Sequence, residues 1–152
     1  MLELVDYDIE FLKLSWKWLN DEEIKQLTMT PNFTKEQQVE FFNSLARRKD
    51  YLIYGISFNN NKIGACGLKN IDNEQAEYWG YIGEKEYWGQ GIGKRILEIM
   101  IKKTLDMQLK YIFLKVKFDN TRAINLYKKT GFVIKEDIGD YLVMSKDIKF
   151  LT

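Results

Sequence analysis

The fold of this chain is decided by seven residues, Trp88-Gly89-Gln90-Gly91-Ile92-Gly93-Lys94, which join an aromatic, apolar run to an amphipathic helix. Glycine at every second position leaves the turn without side chains where the helix begins. Backbone N–H groups and the positive end of the helix dipole can then converge on an anion, and Lys94 adds charge beside it. No Ser or Thr follows Gly93-Lys94, which excludes a P-loop, and Ile96 breaks the GxGxxG spacing. Taken alone, the turn also fits a plain strand-to-helix connection.

Composition predicts one soluble domain over residues 1–152. The chain is 45% hydrophobic and 30% charged, typical of a globular protein. Its 23 basic and 22 acidic residues give a net charge of +1, so we expect neither nucleic acid nor anionic membrane as a partner. No apolar run approaches the roughly 20 residues of a membrane span, and the acidic N-terminus lacks the basic region of a signal peptide. We therefore expect a cytoplasmic protein.

The chain contains no histidine, and Cys66 is its only cysteine. Ser-His and Cys-His catalysis are thereby excluded, as are an intrachain disulfide and a cysteine metal cluster, and we expect no metal. Acid–base chemistry must use Glu, Asp, Tyr, Lys or ordered water. Cys66 lies in an apolar strand and is interpreted as a buried small hydrophobe rather than a nucleophile.

Hydrophobic periodicity predicts an α/β fold with a mixed, mostly antiparallel central sheet flanked by helices. In the first helix we expect Ile9, Leu12, Trp16 and Leu19 to form the buried stripe, and Thr34 to begin a later helix with a capping box. The element order is β-α-α-β-β-β-α-β-α-β-β, with a further short helical piece at 22–27. Predicted strands cover 2–5, 51–58, 62–68, 74–82, 111–118, 131–134 and 141–144.

A second motif follows about thirty residues after the glycine turn: Asn120-x-x-Ala123-x-x-x-Tyr127, then Gly131-Phe132. Spacings of three and four put the first three residues on one helix face. Ala123 allows a close approach to this face, and Tyr127 offers a phenol to the same space. Alone, Ala123 and Tyr127 also fit ordinary core contacts, whereas together with the glycine turn they favour a binding wall.

Both motifs resemble those of the GNAT superfamily of acyl-CoA-dependent N-acetyltransferases. That family's phosphate loop is Arg/Gln-x-x-Gly-x-Gly/Ala, and its second block is Asn-x-x-Ala/Ser-x-x-x-Tyr before Gly-Phe. Trp88 stands where the family has Arg or Gln. The Tyr87-Trp88-Gly89 start is similar to the branch with ribosomal-protein N-terminal and nucleotide-aminosugar acetyltransferases.

The resemblance implies acetyl-CoA as co-substrate and assigns a role to each matching position. Gly89, Gln90, Gly91, Ile92, Gly93 and Lys94, next to Trp88, would hold the pyrophosphate. Tyr81, Ile82 and Gly83 would end a strand that splays from its neighbour and pairs with the pantetheine arm, one N–H stabilising the oxyanion. Asn120 would hydrogen-bond the arm beside Ala123, and Tyr127 would lie near the sulfur.

Attack on the thioester requires a neutral amine, so something must accept its proton. Glu77 is our first candidate for this base, on the same strand face as Trp79 and Tyr81, and a solvated rim position is the alternative. Tyr127, protonated at neutral pH, is the candidate acid for the departing thiolate.

Segments 16–21, 29–33 and 74–78 are aromatic with a few acids and are predicted to border the acceptor. We therefore predict a small-molecule amine acceptor, with a nucleotide-linked aminosugar as the leading candidate. A protein N-terminal acetyltransferase and a non-catalytic acyl-CoA-binding module are the alternatives. A homodimer is compatible with this interpretation.

Overall fold

In a computed structural model, which describes residues 1–148, three helices follow the first strand and a glycine turn precedes the longest helix. The strands are β1 (Leu2–Asp6), β2 (Leu52–Phe58), β3 (Asn61–Lys69), β4 (Gln75–Ile82), β5 (Tyr111–Lys117), β6 (Val133–Asp137) and β7 (Tyr141–Asp147). The helices are α1 (Ile9–Leu19), α2 (Glu22–Leu27), α3 (Lys35–Ser44), α4 (Ile92–Asp106) and α5 (Thr121–Lys129). Within residues 1–148, no helix combines the length and the apolarity that crossing a membrane requires.

The seven strands form one sheet in the order β1-β2-β3-β4-β5-β7-β6, which confirms the predicted fold class. Every pairing is antiparallel except that of β4 with β5. Most predicted strand ends are within one or two residues of the observed ones. The last strand is longer than predicted and reaches Asp147, because it pairs with β5 over that strand's full length.

The parallel pair β4–β5 comes apart half-way along. Only Gln75, Ala76 and Glu77 pair across it, with Tyr111, Ile112 and Phe113. From Tyr78 onward β4 pairs with β3 alone, and from Leu114 onward β5 pairs with β7 alone. The sheet therefore opens into a cleft between its two central strands.

Helices cover the two faces of the sheet with separate apolar clusters. The larger cluster lies under α4 and α5 and includes Ile96, Leu97 and Met100, all buried. The smaller one lies under α1 and is built on Phe11, Trp18 and Ile24. Burying each such side chain contributes about 1.5–3 kcal/mol, so the two clusters fix the helices on both sides of the cleft.

The predicted stripe of α1 is wrong in part. Phe11, Leu12, Ser15 and Trp18 are the buried residues, whereas Ile9 is 51% exposed. Apolar residues surround much of α1, so its sequence fits both the predicted buried face and the one that contains Phe11 and Trp18. Packing decides which face is buried, because Gly55 on β2 leaves room for the Phe11 ring. A Cβ at Gly55 would lie 2.3 Å from that ring.

Candidate active site

A single cavity of about 930 Å³ fills the cleft and continues past both sides of the sheet. One end lies at the glycine turn and the first turn of α5, and the other lies among aromatic side chains beneath α1 and α3. The cavity therefore joins the two sequence motifs. Among the predicted site residues, its lining includes Tyr81, Ile82, Trp88, Gly89, Gly91, Ile92, Gly93, Lys94, Asn120, Ala123 and Tyr127.

The N-terminus of α4 presents uncapped backbone N–H groups to this cavity. Gly91 is the N-cap residue, with φ +79°, and it has no side chain to bond the first turn. Gly89 also has a positive φ of +78°. A Cβ at Gly91 or at Gly93 would meet no atom within 4 Å, so the space in front of the helix is open. This is the geometry that binds anions at helix N-termini.

Two cations of the cavity lining were not predicted from the sequence. Arg122, in the first turn of α5, reaches the glycine turn, with its Nη2 3.6 Å from the Cβ position of Gly89. Lys115 on β5 also lines the cavity, on the sheet face opposite Ile112, Leu114 and Val116, which pack under α4. Arg122 stands one residue before Ala123 in the second motif, so its position in the sequence was the available indication.

The free edge of β4 exposes different residues from those expected. In an antiparallel ladder, hydrogen-bonded residue pairs alternate with pairs that are not hydrogen-bonded. Gly83 donates its N–H to the Ile63 carbonyl at 2.6 Å, so the next pair along β4, Ile82 with Gly64, is not hydrogen-bonded. The same alternation turns the backbone groups of Gly80 and Ile82 away from β3. They point instead to the side where β5 has separated. Gly80, which was not predicted, and Ile82 therefore face the cleft, whereas Tyr81 and Gly83 direct their backbone groups to β3.

Gly83 has a packing reason for being glycine. A Cβ there would lie 2.2 Å from Cδ2 of the Trp18 indole, a buried ring whose Nε1 donates to Glu84 at 2.5 Å.

We expect Gly83→Ala to lower the free energy of unfolding by about 1–3 kcal/mol, because the indole must move within a packed cluster. Urea unfolding measures this loss. Gly93→Ala is the matched control, since it enters open space at a helix start, where alanine is at least as favourable as glycine, and it should unfold at the wild-type midpoint or above it. A wild-type midpoint for Gly83→Ala would contradict the packing role.

Trp88 packs rather than projecting into the anion site. Its Nε1 donates to the carbonyl of Ile82 at 2.8 Å, and its ring lies against the Trp18 cluster. The indole thus holds the glycine turn against the end of β4. Gln90 is exposed and donates to the Glu86 carbonyl at 2.9 Å, within the same turn.

The second motif forms one wall of the cavity. Asn120 is the N-cap of α5, and its Oδ1 accepts from Ala123 N–H at 3.3 Å. Tyr127, two turns along the same helix face, packs against Phe132 with ring centroids 5.8 Å apart. Burial raises the pKa of the Tyr127 phenol to about 12, so it is protonated at neutral pH. A protonated hydroxyl therefore stands at the cleft.

Glu77 occupies the closed end of the cleft, in the last residue pair before the strands separate. It is 3% exposed, so the solvated rim position is wrong. Its Oε1 accepts from Asn70 Nδ2 at 3.0 Å, and its Oε2 lies 3.9 Å from Lys69 Nζ. Of these three residues, Lys69 is the one that lines the cavity.

The far end of the cavity, here called the aromatic wall, consists of Tyr7, Ser15, Phe33, Phe41, Tyr51, Lys69, Trp79 and Tyr81. Trp79 stacks on Tyr81 with ring centroids 6.2 Å apart, which confirms that they share a strand face. The hydroxyls of Tyr7 and Tyr81 donate to Ser15 Oγ at 2.7 and 3.2 Å. The wall thus offers ring faces and neutral hydroxyls.

Cys66 lies on the β3 side of the larger cluster and is fully buried. Burial raises the pKa of its thiol to about 12, which leaves the thiolate scarce at neutral pH. This agrees with the interpretation of Cys66 as a small hydrophobe.

Comparison with known proteins gives one matching family and several relatives. The model of the "Acetyltransferase (GNAT) family" matches residues 16–132. N-alpha-acetyltransferase 30 of Saccharomyces cerevisiae is 35% identical over 78 residues, 49% of this chain and 44% of that protein. Glucosamine 6-phosphate N-acetyltransferase 1 of Dictyostelium discoideum is 34% identical over 84 residues, 49% of this chain and 53% of that protein. The matches thus span about half the length of these relatives.

A solved structure shares the whole fold. Spermidine N-acetyltransferase from Vibrio cholerae, in complex with CoA and spermine, superposes with a TM-score of 0.88 over 99% of this chain and 98% of that one. Sequence identity is 20%, so the likeness concerns the fold and leaves the acceptor undetermined.

Proposed function

Because this chain belongs to the acetyltransferase (GNAT) family, we propose that it transfers the acetyl group of acetyl-CoA to the amine of a small molecule. The observation that carries the proposal is the cleft between β4 and β5, which ends at the uncapped N-terminus of α4. The residues fit the co-substrate in shape and in charge. The parting of β4 and β5 after Glu77 and Phe113 leaves a strand edge to which an extended arm can bind, and open space and cations lie at the end where phosphates belong.

Backbone N–H groups at Gly91, Ile92 and Gly93 would bind the pyrophosphate, with Lys94 and Arg122 neutralising its charge. The backbone N–H and carbonyl of Gly80 and the N–H of Ile82 would pair with the amide groups of the pantetheine arm, as a strand pairs with a sheet edge, while the Ile82 carbonyl already accepts from Trp88. Asn120 would add a side-chain hydrogen bond from the α5 wall. This arrangement brings the thioester to the middle of the cleft.

In that position, the amine attacks the thioester carbonyl within a ternary complex. An N–H of β4, from Gly80 or Ile82, would stabilise the negative charge that develops on the carbonyl oxygen. As the carbon–sulfur bond breaks, Tyr127 would give its phenolic proton to the leaving sulfur. Holding the two reactants together supplies much of the remaining rate acceleration.

The proton that the amine loses needs an acceptor. An alkyl amine with a pKa of about 10 is neutral in about one molecule in a thousand at pH 7. Glu77 lies on the strand face of Trp79 and Tyr81 and would take this proton through water, since its buried carboxylate does not itself line the cavity whereas Lys69, 3.9 Å away, does. Bulk water acting alone is the alternative.

For the acceptor we propose a nucleotide-linked aminosugar. The stacked rings and hydroxyls of the aromatic wall support it, because sugar rings pack on aromatic faces and bond to hydroxyls. The similarity to glucosamine 6-phosphate N-acetyltransferase 1 points to the same chemistry. The similarity to N-alpha-acetyltransferase 30 favours a second candidate, a peptide N-terminus.

A thiol-release assay with acetyl-CoA distinguishes these candidates when it is run against nucleotide-linked aminosugars, free aminosugars, polyamines and N-terminal peptides. We expect turnover with an aminosugar. Turnover confined to peptides would establish the second candidate. Tight acetyl-CoA binding by calorimetry, with no turnover on any amine, would instead show a non-catalytic acyl-CoA-binding module.

A further inference from the structure

The charged side chains that line the cavity all carry the same sign. In the part of the chain that the structure describes, they are Lys69, Lys94, Lys115 and Arg122, and none is a carboxylate. Lys94 and Arg122 lie on α4 and α5, at the proposed phosphate end. Lys69 is the charge of the aromatic wall, where the acceptor would bind, and Lys115 lies on the same sheet face as Trp79, since Ile112, Leu114 and Val116 face α4.

The carboxylates of the segments that were predicted to border the acceptor are engaged elsewhere. Asp21 caps α2 and pairs with Lys85 at 2.9 Å, on the outer surface. Glu74 is exposed and lies 3.6 Å from Lys110. Glu77 is buried behind Lys69. Each of these acids is thus held by a local partner, and none of them lines the cavity.

Lys69 is available to a ligand. Its distance of 3.9 Å from Glu77 is at the outer limit of an ion pair, and its side chain is 40% exposed. Around it the wall is neutral: burial raises the pKa of Tyr7 and of Tyr81, so both phenols keep their protons. With Ser15 they form a cluster of hydroxyls that can bond to a substrate hydroxyl.

We infer that the acceptor is a hydroxyl-bearing amine with an anionic substituent, that Lys69 binds this anion, and that polyamines are poor acceptors. A polyamine would have to leave water with several positive charges and enter a cavity whose charged lining residues, in the described part of the chain, are all cationic, with only the buried Glu77 beside Lys69, and this is costly. The inference rests on the proposed function and narrows its substrate class. The spermine in the Vibrio cholerae structure shows that this fold itself does not exclude polyamines.

The test compares kcat/KM for glucosamine, glucosamine 6-phosphate, uridine diphosphate glucosamine and spermine. The wild-type protein should prefer one of the two phosphorylated sugars over glucosamine by about 10- to 100-fold, the usual value of a hydrogen bond to a charged group. The phosphorylated sugar that is preferred identifies the source of the anion. Spermine should be the poorest acceptor.

Lys69→Gln should abolish the preference for the phosphorylated sugar mainly through KM, and Lys69→Arg should retain most of it. Lys102→Gln, which removes an exposed charge on α4, is the matched control and should preserve the preference. If Lys69 acted only by orienting Glu77, Lys69→Gln would lower kcat equally for glucosamine and for the phosphorylated sugar. The ratio of their kcat/KM values would then stay as in the wild type, and this result would overturn the inference. Spermine as the best acceptor, or turnover confined to peptides, would overturn the inference and leave acetyl transfer intact. No thiol release with any amine would overturn the proposed function.

Discussion

Replacing Gly93 by valine is expected to weaken acetyl-CoA binding by about a hundredfold or more while the protein stays folded. A Cβ at this position projects into open space at the start of α4, where the proposed pyrophosphate would lie. A branched side chain there would block the phosphate from two or more N–H groups, each worth about 1.5–3 kcal/mol toward a charged ligand. Isothermal titration calorimetry with acetyl-CoA measures the loss.

Gly93→Ala is the matched control, because the family motif allows alanine at this position and a single methyl leaves most of the space open. It should bind acetyl-CoA within about tenfold of wild type. Gly91 is less informative, since its φ of +79° would strain any side chain and confound binding with stability. Unchanged affinity in a folded Gly93→Val protein would mean that the glycine turn is only a connection.

Local features of this chain were predictable from the sequence because local physics determines them. The glycine turn, the Thr34 capping box and the Asn120–Tyr127 helix each depend on residues within about eight positions of one another. The Asn59-Asn60 turn between β2 and β3 belongs to the same class, with φ values of +50° and +66°. These features fix the order of elements and hence the family.

Features that depend on distant residues were not predictable. Along β4, the backbone N–H and C=O groups point alternately to β3 and to the cleft. Which residues point to the cleft depends on the register of β4 with β3, and this register cannot be deduced from the β4 sequence. Likewise, Gly83 is glycine because Trp18 packs against it from α1. The charge that the cavity presents to the acceptor depends on which acidic side chains form ion pairs outside the cavity. Asp21 forms such a pair with Lys85, and only the folded chain shows this pairing.

Tyr127→Phe is expected to lower turnover by about 10²–10⁴-fold, the usual value of a positioned acid, with little change in acetyl-CoA affinity. Only a hydroxyl is lost, and the ring contact with Phe132 remains, so the fold should be preserved. Because the pKa of Tyr127 is about 12, its proton is present from about pH 6 to about pH 10. The loss should therefore be the same across this range. Single-turnover thiol release, where chemistry limits the rate, measures it.

Glu77→Gln provides the contrast, because an acid and a base respond to pH differently. If Glu77 accepts the amine proton, its loss matters most at low pH and fades as the pH approaches the amine's own pKa, where solvent has already removed that proton. The amide keeps the shape of the side chain and can still accept from Asn70. A fall in turnover that is independent of pH in Glu77→Gln would mean that the buried carboxylate only orients Lys69.

Wild-type single-turnover rates in Tyr127→Phe would show that the thiolate takes its proton from solvent or from coenzyme A itself, and that Tyr127 serves as a packing residue beside Phe132.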